Sequence, residues 1–439
     1  MDTARFFVRT YGCQMNELDS ECIAGDLVER GLAPAADMES ADVVVLNTCA
    51  VRESAERKAL GLLGLLAKRK REARPGLVLA LCGCVAQAKR EALFDAVPEL
   101  DVVCGTRRIH RLADLVAEAL DGGRRCIDVA EEGAPELHVE TARRSSRVKA
   151  FVSVMRGCDN YCSYCIVPYV RGREMSRPPD EIVREVRHLV GRGVREVTLL
   201  GQNVNAYGRG LSEELDFAGL LERVSGVVGL ERVRFVTSHP KDVSGRLIEA
   251  MAELGPVCEA LHFPAQSGSD AVLERMNRRY TRAHYLGLVE RLRKRVPGIA
   301  LATDLIVGFP GETEAEFEET VSLIERVRYD SAFIFKYSPR AGTAAAELAD
   351  DVPLEVKKAR LARLLALVDE VFLGKNRGLV GRRMEVLVEG PSRKRADRYT
   401  GRTRCNRIAV FEPCPELVGE LVTVEVLDAT PHTLHARLM

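Results

Sequence analysis

Three cysteines lie close together in the sequence, spaced as Cys158-x-x-x-Cys162-x-x-Cys165. Three thiolates on one short loop can hold a soft metal centre from one side, whereas a closed structural zinc site or an ordinary iron–sulfur site uses four protein ligands. The missing ligand leaves one coordination position open. The alternative is a zinc site completed by a distant fourth ligand, or a chance grouping in a chain with 13 cysteines.

A second group of three cysteines follows a regular spacing. Cys13, Cys49 and Cys84 are 36 and 35 residues apart, and each follows a β-rich run, at residues 6–10, 42–47 and 77–81. Because successive parallel strands bring their carboxyl ends to one edge of a sheet, we expect these cysteines to converge there. The alternative is three unrelated buried thiols, since Cys is among the residue types most often buried.

The elements that position these cysteines alternate between strands and helices, which predicts an α/β multidomain protein. We expect a parallel α/β domain over residues 3–121 and a polar linker over 122–143. Six further strand–helix units over 144–375 predict an open, partial (β/α)6 barrel whose loops share one mouth. Short alternating strands over 377–439 predict a small β-barrel.

Charge and hydropathy limit the classes of protein to consider. The formal net charge is zero, so an affinity for nucleic acid must come from a local patch. Residues 382–407 hold nine Lys or Arg against three acidic residues, with Tyr399 among them. This pattern suits an RNA-backbone surface, and a solvated surface of mixed charge is the alternative. Without an apolar membrane segment or a secretory signal, we expect a cytoplasmic protein with reduced thiols.

Several motifs, taken in order, resemble those of the methylthiotransferases, a family of radical S-adenosylmethionine enzymes. They cover nearly the whole chain: Tyr11-Gly-Cys-Gln-Met-Asn, Asn47-Thr-Cys-Ala-Val-Arg, Gly83-Cys-Val-Ala-Gln, residues 155–177, Gly201-Gln-Asn-Val-Asn, Thr237-Ser-His-Pro and Gly401-Arg-Thr-Arg-Cys-Asn-Arg. Three positions depart from the family pattern: Phe263-Pro-Ala-Gln, Pro339-Arg-Ala-Gly-Thr and Cys405. None of them removes a cluster ligand.

The resemblance implies two 4Fe–4S clusters and S-adenosylmethionine as cofactors. By motif position, the auxiliary-cluster ligands match Cys13, Cys49 and Cys84, and the radical-cluster ligands match Cys158, Cys162 and Cys165. S-adenosylmethionine would contact Tyr164, Gln202, Ser238 and Gln266, although each of these could equally cap a helix or complete a turn. The carboxy-terminal module resembles the TRAM domain, and its expected phosphate contacts are Arg402, Arg404 and Arg407.

The implied activity is tRNA methylthiotransfer to carbon 2 of N6-isopentenyladenosine beside the anticodon, by a radical mechanism that uses two S-adenosylmethionine molecules. The implied partners are the tRNA carrying that base, an electron-donor protein, and donors of iron–sulfur clusters and sulfur; we expect a monomer without membrane attachment. Two rivals remain: methylthiolation of a ribosomal-protein aspartate or of a differently modified adenosine, and an iron–sulfur redox sensor that binds RNA without turnover.

Overall fold

The computed structural model describes residues 3–122, 124–132, 139–140, 142–395 and 397–439. They form two compact units. The first takes in the described residues up to 145 together with 156–159 and 165–174, and the second takes in 146–155, 160–164 and 175–439. No helix within these ranges is long and apolar enough to cross a bilayer.

The first unit is built on a six-stranded parallel sheet, in the order β2-β1-β3-β4-β5-β6. Its strands are β1 (Arg5–Thr10), β2 (Ala33–Pro34), β3 (Val43–Thr48), β4 (Val78–Gly83), β5 (Val102–Cys104) and β6 (Cys126–Asp128), and its helices are α1 (Gln14–Glu29), α2 (Glu53–Ala73), α3 (Cys84–Lys89), α4 (Ala92–Ala96) and α5 (Leu112–Gly122). Strands β3 and β4 are buried throughout, which suits their continuous apolar sequences, because a central parallel strand is covered on both faces.

Two short strands of this sheet are absent from the sequence-based assignment. Strand β2 has two residues and β6 has three, too few for a period to appear. Strand β6 lies in the range 122–143 that was predicted as a linker. Residues 123, 133–138 and 141 of that range lie outside the described residues.

The following elements include six parallel strands in two three-stranded sheets, β11-β10-β7 and β12-β13-β14. The strands are β7 (Lys149–Ser153), β8 (Met155–Arg156), β9 (Met175–Ser176), β10 (Glu196–Leu200), β11 (Arg232–Phe235), β12 (Ala260–His262), β13 (Ala300–Val307) and β14 (Ser331–Lys336), with β8 and β9 forming a separate pair. The helices are α6 (Val167–Arg171), α7 (Pro179–Gly191), α8 (Phe217–Ser225), α9 (Gly245–Glu253), α10 (Asp270–Arg275), α11 (Arg282–Arg295), α12 (Glu314–Val327) and α13 (Leu354–Arg377).

One face of these six strands packs on helices, and the alternate residues form the inner face of a partial barrel. Val197, Val233 and Leu305 point outward into a large apolar core that also contains residues of α7, α8, α11 and α12. Local signals start the helices after the loops. At α12, for example, the Thr313 hydroxyl accepts from the Glu316 N–H while the Glu316 carboxylate accepts from the Thr313 N–H.

The carboxy-terminal module, also in the second unit, is a closed five-stranded barrel in the order β15-β16-β17-β19-β18. Its strands are β15 (Arg383–Pro391), β16 (Tyr399–Thr403), β17 (Ile408–Phe411), β18 (Leu421–Ala429) and β19 (Leu434–Leu438). Apolar residues such as Val386, Val388 and Phe411 fill its interior. The predicted fold class, a parallel α/β domain followed by a partial barrel and a small β-barrel, is therefore confirmed.

Candidate active site

The structure brings Cys13, Cys49 and Cys84 together at one edge of the amino-terminal sheet. Cys13 precedes α1, Cys49 directly follows β3, and Cys84 begins α3 directly after β4. The three preceding strands, β1, β3 and β4, are neighbours in the sheet. Gly12 allows a close approach between two of the loops, because a Cβ built on it would lie 2.6 Å from the Cβ of Cys49.

A buried polar network fixes the loops that carry these cysteines. The Asn16 amide donates to Asn47 Oδ1 at 2.9 Å and to the Thr48 carbonyl at 3.0 Å. In return, the Asn47 amide donates to the Asn16 carbonyl at 2.9 Å. The Cys13 thiol donates to Asn16 Oδ1 at 3.2 Å, so the first cysteine is joined to the same network. Asn16 follows Cys13 and Asn47 precedes Cys49 in the sequence, so their hydrogen bonds hold the two cysteine loops in position.

The chemistry of this donor set fits an iron–sulfur cluster. Burial, together with the neighbouring Cys84 and Cys13 thiols, raises the pKa of Cys49 to about 11. Burial also raises the pKa of Cys84, while the positive charge of Arg171 opposes that rise. Neighbouring thiolates repel one another, and the positive charge of bound iron would offset that repulsion.

The three thiols do not have to meet at one point. Within the described ranges, no three His, Cys, Asp or Glu side chains are placed to hold a single metal ion. Cysteine ligands of a 4Fe–4S cluster bind different iron atoms. Three cysteines that do not converge on a single ion can therefore still serve a cluster.

The second cysteine group lies on the loop between β8 and α6. Gly157 has a φ of +77°, and a Cβ there would lie 1.9 Å from the Arg173 carbonyl oxygen, so only glycine fits. The next residue, Cys158, donates its N–H to the Gly172 carbonyl at 3.1 Å. Cys158 and Cys162 are buried and Cys165 is half-buried. Cys158 and Cys165 belong to the first unit and Cys162 to the second.

An arginine that the sequence motifs did not reveal lies beside Cys162. Arg278 is 4% exposed, and its Nη1 donates to the Cys162 sulfur at 3.4 Å. Its Nη2 donates to the Pro264 carbonyl at 3.0 Å, which fixes the guanidinium. A buried guanidinium thus lies against the sulfur of one of the three cysteines. The donor set of this loop therefore fits a cluster held by three thiolates.

The four predicted contacts to S-adenosylmethionine lie on the cysteine loop or on loops that follow strands of the partial barrel. Ser238 is 1% exposed, and its hydroxyl has no hydrogen-bond partner among the described residues. Gln266 is buried, with a φ of +68°, and its backbone bridges to β13. Tyr164 packs at the edge of a small apolar cluster with Phe309, and Gln202 is half-buried after β10. These contacts stay predictions.

The predicted phosphate contacts on the carboxy-terminal barrel all have protein partners. Arg402 pairs with Glu389 at 3.2 Å. Arg404 donates to both carboxylate oxygens of Glu259, at 2.9 and 2.8 Å. Arg407 pairs with Asp330. The Arg402 side chain is the most accessible of the three arginines, at 31%, and that of Arg407 is the least accessible, at 14%.

Models of three known families match the chain in succession. Residues 5–105 match the uncharacterized protein family UPF0004, residues 152–324 match the radical SAM superfamily, and residues 377–439 match the TRAM domain. The fold is also similar to solved structures of low sequence identity. A radical S-adenosylmethionine methyltransferase, TsrM from Kitasatospora setae, aligns over 78% of this chain and 74% of its own, with a TM-score of 0.57 and 14% identity.

Full-length relatives are far more similar in sequence. A tRNA-2-methylthio-N(6)-dimethylallyladenosine synthase of Syntrophomonas wolfei is 49% identical over 434 residues, covering 99% of this chain and 97% of the relative. The enzyme of the same name from Moorella thermoacetica is 49% identical over 436 residues, covering 99% and 98%. Such similarity extends through all three modules.

Proposed function

The chain belongs to the tRNA-2-methylthio-N(6)-dimethylallyladenosine synthase family, and we propose that its two cysteine sets divide the work of this radical S-adenosylmethionine enzyme. The reaction adds a methylthio group to carbon 2 of N6-isopentenyladenosine beside the anticodon. The enzyme uses two 4Fe–4S clusters and S-adenosylmethionine. An aromatic C–H bond at this carbon is beyond the reach of side-chain acid–base chemistry, which is why a cofactor-borne radical is required.

Each cysteine set would hold one cluster. Cys158, Cys162 and Cys165 would hold the cluster whose chemistry is the supply of an electron to S-adenosylmethionine. Cys13, Cys49 and Cys84 would hold the auxiliary cluster, whose chemistry is the supply of sulfur. The protein contributes fixed loops to both, through Gly157 beside Cys158 and through the asparagine network beside Cys13.

The loops of the partial barrel hold S-adenosylmethionine. The unpaired, buried Ser238 hydroxyl supports this assignment, because a buried hydroxyl without a partner is unfavourable until a ligand satisfies it. Gln266 and Gln202 extend the polar lining from neighbouring loops, and Tyr164 offers an aromatic face near Cys165.

The carboxy-terminal barrel binds the tRNA backbone through Arg402, Arg404 and Arg407. The enzyme works as a monomer in the cytoplasm, where it meets tRNA carrying isopentenylated adenosine, an electron-donor protein, and donors of sulfur and iron–sulfur clusters. We place the amino-terminal domain at residues 3–128, so that it includes β6, and the other two domains at 144–375 and 377–439.

One observation carries the division of labour: the chain has two separate sets of three cysteines, one on the loops that follow β1, β3 and β4 and the other on the loop between β8 and α6. A redox sensor would need neither the second set nor a cofactor pocket.

The test uses anaerobically reconstituted enzyme with S-adenosylmethionine, a reductant, and tRNA carrying N6-isopentenyladenosine. We expect 5′-deoxyadenosine and 2-methylthio-N6-isopentenyladenosine, both measured by mass spectrometry of the products. A redox sensor would yield neither product. Methylthiolation of a ribosomal-protein aspartate, with no change in the tRNA, would contradict the proposal in favour of the other methylthiotransferase branch.

A further inference from the structure

The inner face of the partial barrel exposes two aromatic side chains of β14. Phe333 is 50% exposed and Phe335 is 38% exposed, and as alternate residues of one strand they lie on the same face. Across the strand pair, Phe333 aligns with Asp304 and Phe335 with Ile306. The intervening residues, Ala332 and Ile334, pack on the apolar core instead. Exposed aromatic area on a concave face is unfavourable unless a ligand covers it.

A fixed polar pair borders these rings. The Thr237 N–H donates to Nδ1 of His262 at 3.3 Å, so the ring proton of neutral His262 lies on Nε2. That Nε2 lies 3.1 Å from Oδ1 of Asp304 and donates to it. The His262 ring meets Phe333 edge to face, with centroids 6.3 Å apart at 88°. A carboxylate thus lies beside an aromatic surface, with its imidazole neighbour held in one orientation.

This aromatic face adjoins the loops assigned to the cofactor. The Ser238 N–H donates to the His262 carbonyl at 3.3 Å, and the Gln266 N–H donates to the Asp304 carbonyl at 2.8 Å. The strand residues that form the polar pair therefore also fix two candidate S-adenosylmethionine contacts. A ligand on the aromatic face would therefore lie next to the loops that carry two of the proposed cofactor contacts.

We propose that Phe333, Phe335 and the His262–Asp304 pair form the recognition site for the N6-alkylated adenine, an inference that rests on the proposed function. The two phenylalanine rings cover the flat base and its apolar isoprenoid tail. Asp304, which can only accept hydrogen bonds when ionised, takes the single N6–H of the alkylated base. The site therefore selects an extruded purine with an apolar N6 substituent, because aromatic side chains stack on extruded bases.

The first test compares the binding of two anticodon stem–loop RNAs to the reconstituted holoenzyme, one with N6-isopentenyladenosine and one with adenosine at the same position. Wild type should bind the modified RNA more tightly, and in the Phe333→Ala/Phe335→Ala variant that preference should fall by roughly tenfold or more, because the two rings cover the apolar isoprenoid tail that adenosine lacks. The Phe333→Tyr/Phe335→Tyr variant should retain it. Leu365→Ala, at a similarly exposed residue of α13, is the matched control.

The iron content and the thermal unfolding midpoint of each variant report folding independently. An undiminished preference in the double alanine variant would overturn the inference. So would a wild-type enzyme that methylthiolates the RNA yet binds both RNAs equally. Absence of methylthio product from wild type would instead overturn the proposed function, and the inference with it.

The second test concerns Asp304. RNA carrying N6-isopentenyl-N6-methyladenosine lacks the N6–H, so wild type should bind it more weakly than the N6-isopentenyl RNA. In Asp304→Ala this difference should disappear. If Asp304→Ala discriminates between the two RNAs as strongly as wild type does, the carboxylate does not read the N6–H.

Discussion

The absence of a side chain at Gly12 allows the loop that carries Cys13 to approach Cys49 in the proposed auxiliary site. At Gly12 a methyl group would meet the Cys49 Cβ at 2.6 Å and Asn16 Oδ1 at 2.8 Å, at a φ of +140°. We expect Gly12→Ala to separate the Cys13 loop from Cys49 and to lower the iron content of the reconstituted protein toward half. The matched control is Gly31→Ala, where φ is +86° but no atom lies within 4 Å. Full iron loading of Gly12→Ala would contradict the convergence of these loops on one cluster.

Arg278 gives a second prediction at the residue scale. Its hydrogen bond to the Cys162 sulfur places a buried positive charge beside the radical-cluster loop. Hydrogen bonds to the sulfurs of a cluster raise its reduction potential. We therefore expect Arg278→Gln to lower the potential of this cluster, measured by a redox titration followed by electron paramagnetic resonance. The control is Arg279→Gln, because Arg279 is the exposed neighbour in the sequence. An unchanged potential would mean that Arg278 serves only the packing of its loop.

Residue identity and spacing predicted where the cysteines lie, but they did not predict which side chains surround them. Cys13, Cys49 and Cys84 are each separated by one strand–helix unit. Because successive parallel strands end at the same edge of the sheet, that spacing predicted that the three cysteines lie at one edge. Nothing comparable marks Arg278, which lies 116 residues from the cysteine that it contacts. The His262–Asp304 pair joins two strands 42 residues apart, and it becomes visible only when the register is known.

Among the elements, strand length determined what could be predicted. The six barrel strands have a recognisable apolar pattern, whereas β2 and β6 are too short to show one. The basic run at 382–407 predicted the charge of its segment, but not the acidic groups that face it. Glu259 and Asp330 lie in distant parts of the sequence and approach Arg404 and Arg407 only after folding.

The loop between β16 and β17 supports a prediction about RNA binding. If Arg402, Arg404 and Arg407 neutralise phosphates, replacing all three with Gln should flatten the salt dependence of tRNA binding by about two to three units of log slope, and each single variant should flatten it by about 0.7 to 0.9. Arg437→Gln is the control, an exposed arginine on β19 that pairs with Glu425.

Thermal unfolding of the same variants separates the two roles of these arginines. Arg404→Gln also removes the ion pair with Glu259 and leaves that partly buried carboxylate without its partner. Arg407→Gln removes one of the two ion pairs of Asp330, which keeps its pair with Lys375. If these two variants unfold at a lower temperature while the salt slope stays unchanged, the outcome contradicts a phosphate-binding role. Arg404 and Arg407 then serve to pack the small barrel against the partial barrel and do not contact tRNA.

At the scale of the whole molecule, the three modules each contribute one requirement of the reaction. The amino-terminal sheet presents three cysteines at one edge, the partial barrel carries the proposed contacts to the cofactor and the base, and the small barrel carries a basic segment. The motifs that resemble those of the methylthiotransferases occur in the same order along nearly the whole chain, and they predicted all three modules. Short alternating runs predicted the small barrel itself, whereas the sequence of β16 does not alternate between apolar and polar residues and so gave no strand signal.

The central claim is that two cysteine sets hold two clusters with different tasks, and one comparison of variants tests it. The Cys13→Ala/Cys49→Ala/Cys84→Ala protein should hold about half of the roughly eight irons of wild type. It should still cleave S-adenosylmethionine to 5′-deoxyadenosine and should form no methylthio product, whereas Cys158→Ala/Cys162→Ala/Cys165→Ala should form neither. Methylthiolated tRNA from the first variant, or wild-type iron content in it, would contradict the account.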